Sequence, residues 1–241
     1  MFQIELAGCI IRIHNHFSYI VTLCKEYRVA DTCRYDLEIE ISLETVQAEQ
    51  QKSQLNVSSG YCESICVYRE ISLGLLKYET MVMHSAVISC DGKGYAFCAK
   101  SGTGKSTHIA LWKKVYGDRV KIINGDKPLV RRIINCSSGQ TSFIAYGTPW
   151  CGKENWGTRD LVLLNAICFI ERGITNSIRR MTDTEIIQKL FHQLLIPEKE
   201  ELLAIEMNMV DSLMQEVPFY LLTCNMSEEA AITAYTELSK I

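Results

Sequence analysis

The sequence predicts an α/β fold: a mixed β-sheet with flanking helices, together with a small β-rich N-terminal region. A glycine-rich segment at residues 99–104 lies between a short apolar run and a helical pattern. The dipeptide Asp91-Gly92 separates two apolar runs just before it, which predicts a β-hairpin. Further strand-like runs and helical patterns follow as far as the C terminus. Together these features favour a sheet with both antiparallel and parallel neighbours.

Length, charge and cysteine usage narrow the class of protein. The 241 residues suffice for one large domain or a medium domain with a small appendage, and a net charge of -3 gives no reason to expect nucleic acid as a partner. The 11 cysteines are irregularly spaced, which favours reduced thiols in a cytoplasmic protein. Residues 1–5 lack the basic and apolar parts of a signal segment, so none is expected, and the longest apolar run, 161–170, is too short to cross a bilayer. We therefore expect no membrane partner, whereas a homo-oligomer remains an open prediction.

The N-terminal quarter predicts a small β-rich region. Residues 8–13 and 36–41 are strand-like, and residues 18–25 favour a short helix. Residues 47–60 are polar and aperiodic, which indicates a loop or linker. The predicted division is thus 1–60 for this region with its linker and 61–241 for the main domain.

The first half of the main domain is organised around the glycine segment. A helix is predicted over 61–77, followed by the hairpin strands 85–90 and 94–99. The helix after the glycine segment is expected to stop at Gly117. An apolar strand over 119–124 then leads to Asp126.

The second half begins with a loop over 146–160 that is rich in tryptophan, glycine and charge. A buried strand over 161–171 is expected to pair with 177–181 across the turn at Gly173. Thr182 and Glu185 form a capping-box pattern that opens a helix stopped by Pro197. A helix over 199–216, a strand over 219–224 and a final helix capped by Ser227 complete the chain.

The glycine segment matches a phosphate-binding loop, G-x-x-x-x-G-K-[ST], except that Ala99 stands where the first glycine is expected. Such a loop surrounds a polyphosphate with backbone N–H groups at the positive end of a helix. Lys105 would reach the terminal phosphates, and the hydroxyl of Ser106 would hold Mg²⁺. The predicted nucleotide-binding residues are Ser101, Gly102, Thr103, Gly104, Lys105, Ser106 and Thr107.

Two further stretches carry candidate chemistry. Asp126 follows a strand about 20 residues after the loop, where a carboxylate would complete a metal site with Ser106; the alternative is a simple turn-forming residue. The 146–160 loop is either a binding loop or lid, in which Lys153 and Arg159 clamp phosphate or an anionic acceptor, or a structural loop anchored by its tryptophans.

These motifs resemble a known family. His84-Ser85-Ala86-Val87, the hairpin, residues 101–106 and Ile123-Asn124-Gly125-Asp126 are similar to the kinase core of HPr kinase/phosphorylase, which is shared with ATP-dependent phosphoenolpyruvate carboxykinase. The resemblance covers residues 80–135 by motif and extends towards 240 by element order, without residues 1–60. It implies a P-loop core that binds ATP and Mg²⁺ through Lys105, Ser106 and Asp126, with His84 near the reacting phosphate. A Pro-Trp-Cys-Gly-Lys-Glu loop like residues 149–154 also occurs among kinase-like relatives.

The chain departs from this family at one position. The family has two adjacent aspartates at the second motif, and the first is replaced here by Gly125. Since that pair also handles the acceptor's proton in the family, the general base must be another residue. The candidates are His84, Glu154 and Asp160, and a structural role for His84 is equally open.

The resulting hypothesis is a kinase that moves the γ-phosphoryl group of ATP to a hydroxyl of a small molecule or a peptide serine. The predicted catalytic residues are Lys105, Asp126, His84 and Glu154. The alternative is a non-catalytic ATP-binding sensor, in which Gly125→Asp is expected to restore slow transfer or ATP hydrolysis. A carboxykinase acting on oxaloacetate is disfavoured, because those enzymes are about twice as long.

Overall fold

The computed structural model describes residues 1–31, 34–53 and 56–241. The chain begins with a three-stranded sheet of β1 (Phe2–Leu6), β2 (Cys9–His14) and β3 (Leu37–Glu40). Strands β1 and β2 are antiparallel, and β3 lies parallel to β2. Helix α1 (Ser18–Leu23) and a 3₁₀ turn at Lys25–Tyr27 lie between β2 and β3 in the chain. The two predicted strands and the short helix are confirmed, and β1 is an addition.

The predicted linker over 47–60 is wrong for much of its length. Residues Leu43–Lys52 form helix α2, which begins where the Ser42 side chain accepts a hydrogen bond from the N–H of Thr45. Helix α3 (Ser59–Leu75) follows, and residues 54–55 lie outside the described part of the chain. Glutamine and glutamate are good helix formers, and α2 needs little apolar surface because Val46 is its buried contact. The polar composition of this segment therefore did not indicate a loop.

The second sheet has nine strands in the described part of the chain. Its strands are β4 (Thr80–Val82), β5 (Ala86–Cys90), β6 (Lys93–Cys98), β7 (Val120–Asn124), β8 (Leu129–Ile134), β9 (Thr141–Tyr146), β10 (Leu161–Arg172), β11 (Ser177–Arg180) and β12 (Phe219–Cys224). The main path runs β4-β8-β9-β10-β6-β5-β7, and β12 pairs with both β10 and β11. The mixed α/β class is thereby confirmed.

The predicted hairpin before the glycine segment is present. Strands β5 and β6 pair antiparallel, and Asp91 and Gly92 between them both have positive φ, as a tight two-residue turn requires. Strand β6 pairs on its other side with β10, in parallel. The glycine segment therefore directly follows a strand that has one antiparallel and one parallel neighbour.

The predicted pairing of 177–181 with the 161–171 strand is wrong. Strand β11 pairs antiparallel with β12, and β12 itself lies parallel against β10. The last strand of the chain has taken the place beside β10 because its six residues are almost entirely apolar and buried, whereas β11 is mostly exposed. The most buried strand occupies the more central position.

Helices cover both faces of the large sheet. Helices α4 (Lys105–Tyr116) and α7 (Glu228–Leu238) pack on one face of the sheet. The side chains of Tyr95 and Phe97 of β6 lie on this same face. Helices α5 (Asp183–Leu190) and α6 (Glu200–Glu216) pack on the other face, against Ala96 and Cys98. This alternation along β6 is the pattern of a strand buried on both sides.

The helix ends agree in part with those predicted from the sequence. The capping box of Thr182 and Glu185 is confirmed, and α4 ends at Gly117, which has a positive φ. Helix α5 ends at Leu190, before the predicted stop at Pro197, because residues 191–193 form a 3₁₀ turn. Ser227 precedes α7, but its hydroxyl bonds to Asn225 instead of capping the helix.

Trp150 joins the N-terminal elements to the 146–160 loop. Its ring stacks on Tyr68 of α3 at 4.2 Å, and its indole N–H donates to the carbonyl of Ser64. It belongs to the same apolar cluster as the small sheet. The division of the chain at residue 60 stays a prediction. Among the described residues, no helix is both long and apolar enough to span a membrane.

We predict that Trp150→Ala lowers the free energy of unfolding by about 3–5 kcal/mol, because it empties a buried, stacked position. Urea denaturation followed by circular dichroism would measure the loss. Trp156→Ala is the matched control, since Trp156 lies in the same loop but is half-buried. An equal loss for both variants would contradict the anchoring role of Trp150.

Candidate functional site

The glycine segment forms a tight loop between β6 and α4. The N–H of Thr103 donates to the carbonyl of Lys100, and Gly102 and Gly104 both have positive φ. A Cβ atom at either glycine would meet no other atom within 4 Å. Glycine is therefore required for the backbone angles and not for space.

Arg172 at the end of β10 supports this loop from one side. Its Nη2 donates to the carbonyl of Gly102 at 2.6 Å, and its Nε donates to the carbonyl of Thr103 at 3.0 Å. Among the residues that the structure describes, no side chain caps the N terminus of α4, and the first turn of this helix contains no acidic residue. The first N–H groups of α4 thus remain available to an anion.

Lys105, in the first turn of α4, carries a buried ammonium group. Its side chain is 11% exposed, and its Nζ lies 3.5 Å from Asp126 Oδ1. Within the described residues Nζ has no hydrogen-bond partner. Burial lowers the pKa of Lys105, which the carboxylate of Asp126 offsets only in part. A buried ammonium with three unused donors is costly unless a ligand supplies acceptors.

Asp126 lies between Lys105 and His84. Its Oδ1 is 3.1 Å from His84 Nε2. Burial acts to raise the pKa of Asp126, but the hydrogen bond from His84 and the charge of Lys105 outweigh it and hold that pKa below its usual value. The carboxylate is therefore ionised at neutral pH, as a metal ligand must be.

Asn124 fixes the turn that presents Asp126. Its side chain is fully buried, and its Oδ1 accepts from the N–H groups of Asp126 and Lys127, both at 2.8 Å. Its Nδ2 donates to the carbonyl and the hydroxyl of Thr148. The Thr148 hydroxyl in turn donates to the carbonyl of Lys127. A closed network thus connects the end of β7 to the 146–160 loop.

The predicted site residues come together around one cavity of about 510 Å³. His84, Asp126 and Glu154 line it, as do the loop and the first turn of α4. The predicted nucleotide-binding residues that line it are Ser101, Gly102, Gly104, Lys105, Ser106 and Thr107. Thr103 lines two neighbouring cavities instead. Their roles in binding and catalysis stay predictions.

The 146–160 loop divides between this cavity and other contacts. Gly152, Lys153 and Glu154 line the cavity. Asp160 instead pairs with Lys121, with Oδ2 to Nζ at 2.9 Å, and Arg159 lies 3.9 Å from Glu5. Neither Asp160 nor Arg159 is among the cavity's described lining residues, so the structure does not support them as base or phosphate clamp at this site.

Sequence reasoning missed the positioning residues Asn124, Thr148 and Arg172. Asn124 stands within the motif that singled out Asp126, and asparagine at a strand end is a signal for a side chain that bonds the next backbone N–H groups. Arg172 and Thr148 had no such signal, because their partners are distant in the chain.

Gly125 has no room for a side chain. A Cβ atom there would lie 2.7 Å from the carbonyl oxygen of Cys151 and 3.2 Å from Trp156 Cβ. The loop over 151–158 covers this position, with the N–H of Thr158 donating to the carbonyl of Ile123. The expectation that Gly125→Asp restores transfer conflicts with this geometry, since an aspartate would displace the loop that carries Glu154.

We predict that Gly125→Asp lowers the thermal midpoint by several degrees and does not raise any phosphoryl-transfer rate, because of this overlap. Differential scanning calorimetry and a labelled-ATP assay would measure the two effects. Asn155→Asp, at an exposed position of the same loop and outside the cavity of the candidate site, controls for the single added charge. A Gly125→Asp protein with unchanged stability and a new transferase activity would contradict this reading.

Comparison with known proteins gives only distant structural likenesses. No protein-family model and no curated protein matches the chain. Among solved structures, the chain is similar to one described as the HPr(Ser) kinase/phosphatase from Coxiella burnetii, with a TM-score of 0.37 and 9% sequence identity. The match covers 66% of this chain and 89% of that one. At this distance, membership of that kinase family stays a prediction.

Proposed function

We propose that this protein is an ATP-dependent kinase that transfers the γ-phosphoryl group to a hydroxyl of a small molecule or a peptide serine. The observation that carries the proposal is the buried Lys105 ammonium, which faces Asp126 without a hydrogen-bond partner among the described residues. It sits where the glycine loop ends and α4 begins. Phosphate oxygens would supply the acceptors that this group lacks.

The chemistry proposed for the cavity is mostly electrostatic. The acceptor oxygen forms a bond to the γ-phosphorus, and the bond from that phosphorus to the β,γ-bridging oxygen breaks, so that ADP leaves with the electron pair. Lys105 and the N–H groups of the loop and of α4 neutralise the charge that spreads over the transferred group. Arg172 fixes the loop by donating hydrogen bonds to the carbonyls of Gly102 and Thr103.

The donor set at the cavity suits Mg²⁺. Asp126 offers an ionised carboxylate and Ser106 a hydroxyl, both lining the cavity. Magnesium commonly takes one or two such protein oxygens and completes its shell with phosphates and water. When bound there, the ion would supply further neutralisation of phosphate charge. Asn124 would hold Asp126 in position for it.

His84 is the base that the geometry favours. An ionised carboxylate can only accept, so His84 Nε2 carries the proton in its contact with Asp126. In a neutral imidazole this leaves Nδ1 unprotonated and able to take the acceptor's proton. Asp126 orients the ring, as the carboxylate does in other base–carboxylate pairs. Glu154 lines the same cavity and stays the second candidate.

A non-catalytic ATP sensor is the alternative function. Gly125 favours it, because the carboxylate expected from the family resemblance is absent at that position. The sensor and the kinase share ATP binding and differ in acceptor turnover. Measuring both properties on the same preparations distinguishes them.

We predict that Lys105→Met abolishes Mg-ATP binding and leaves the thermal midpoint unchanged or higher. The variant removes the phosphate contact, and it also removes a buried charge that the apo protein satisfies poorly. Isothermal titration calorimetry and thermal denaturation would measure the two effects. Lys114→Met, near the other end of α4 at an exposed position, is the matched control. Wild-type affinity in a folded Lys105→Met protein would end the nucleotide-site proposal.

We predict that His84→Ala lowers turnover about 10²–10⁴-fold, the usual contribution of a general base, and changes ATP affinity little. Steady-state transfer assays with labelled ATP, alongside calorimetric titration, would show this split. Glu154→Gln tests the second candidate, and Asp160→Asn is a control because Asp160 pairs with Lys121. If Glu154→Gln alone produces the loss, Glu154 is the base. If none of the variants transfers and the wild type does not either, the sensor is favoured.

A further inference from the structure

A second, smaller cavity adjoins the candidate site through His84. It measures about 220 Å³ and is lined by α3, β4, the turn after Asp126 and the segment after α5. His84 lines both this cavity and the larger one that holds Lys105. A molecule in the smaller cavity would therefore reach the residue proposed as the base from the side away from the glycine loop.

The wall of this smaller cavity is firmly built. The hydroxyl of Tyr68 donates to the carbonyl of Lys127 at 2.7 Å, and the hydroxyl of Ser72 donates to the carbonyl of Tyr68. The N–H of His84 donates to the carbonyl of Gln193 at 2.7 Å. The charge of Arg69 is paired with Glu49 through two hydrogen bonds. These bonds fix the shape of the cavity.

Two polar groups at the cavity, Gln193 Oε1 and the Lys127 ammonium, have no hydrogen-bond partner among the described residues. Gln193 is only 6% exposed, and in the described chain its Oε1 accepts no hydrogen bond. Lys127 has no carboxylate within 4 Å of its ammonium in the part of the chain that the structure describes, although its backbone N–H and C=O are both bonded. Leu194, Leu195 and Ile65 supply apolar surface beside them. A pocket of apolar walls with a few unmet polar groups is the usual form of a small-molecule site.

We propose that this cavity binds the phosphoryl acceptor, and that the acceptor is a small carboxylate with a hydroxyl group and a second hydrogen-bond donor. The carboxylate pairs with Lys127, the second donor bonds to Gln193 Oε1, and the reacting hydroxyl faces His84. The volume corresponds to about seven water molecules, which suits a compact molecule. The inference rests on the proposed kinase function and selects between its two classes of acceptor.

The transfer step itself is the one written above. The hydroxyl oxygen of the carboxylate gains the γ-phosphoryl group, ADP leaves, and the hydroxyl proton passes to His84 Nδ1. Neither Lys127 nor Gln193 exchanges a proton. Both act by positioning the acceptor, so their loss should appear in the acceptor's KM.

The test measures transfer from labelled ATP to L-serine, L-threonine and D-glycerate, with glycerol as the neutral counterpart of D-glycerate. A serine-containing peptide is assayed in parallel. We expect phosphorylation of at least one carboxylate and at least about tenfold lower kcat/KM for glycerol, because the contact with Lys127 is charge-assisted. Lys127→Gln should raise the KM for the carboxylate about 10- to 100-fold, and Gln193→Met about 2- to 10-fold. The KM for ATP should stay within about twofold.

Lys77→Gln is the matched control, since Lys77 is an exposed cation outside both cavities. Transfer to glycerol or to the peptide alone would overturn the inference and leave the kinase proposal in place. The same conclusion follows if Lys127→Gln and Gln193→Met leave the KM for the carboxylate unchanged. Mg-ATP binding without transfer to any of these compounds would overturn the inference and favour the sensor. Absence of ATP binding would overturn the proposed function itself.

Discussion

The contact between Lys105 and Asp126 is the constraint on which the candidate site depends. It brings a cation from the start of α4 to within 3.5 Å of a carboxylate at the end of β7. Strands β6 and β7 both pair with β5, which lies between them, so the sheet places their ends near one another. The pair is nevertheless poorly satisfied, since Lys105 Nζ makes no hydrogen bond with any described residue. The protein thus holds two opposite charges where a phosphate and a metal ion would each find a partner.

Residues outside the motifs keep this pair in place. Asn124 fixes the backbone on either side of Asp126, and Thr148 connects that turn to the long loop. Arg172 fixes the glycine loop from β10. Because these supports come from separate parts of the chain, we interpret the site as preorganised by the sheet and not by the loop sequence alone. The 151–158 segment covers Gly125 and is part of the same arrangement.

His84 links two cavities of different character. The larger one contains the glycine loop, Lys105 and Asp126, whereas the smaller one offers Lys127 and Gln193 on apolar walls. Under the kinase proposal, the polyphosphate lies on one side of His84 and the acceptor on the other. The sensor proposal needs only the larger cavity, so the two proposals differ in the use that they assign to the smaller one.

The sequence by itself determined the local elements and the chemistry of the motifs. The Asp91-Gly92 hairpin, the strand–loop–helix around Lys105 and the capping box at Thr182 depend on neighbouring residues, and all are present. Only the tertiary structure decided which distant groups meet. The place of β12 beside β10 and the lack of room at Gly125 depend on burial and packing between remote segments. No local pattern encodes such contacts, because a strand's partner and a glycine's neighbours are chosen by the whole fold.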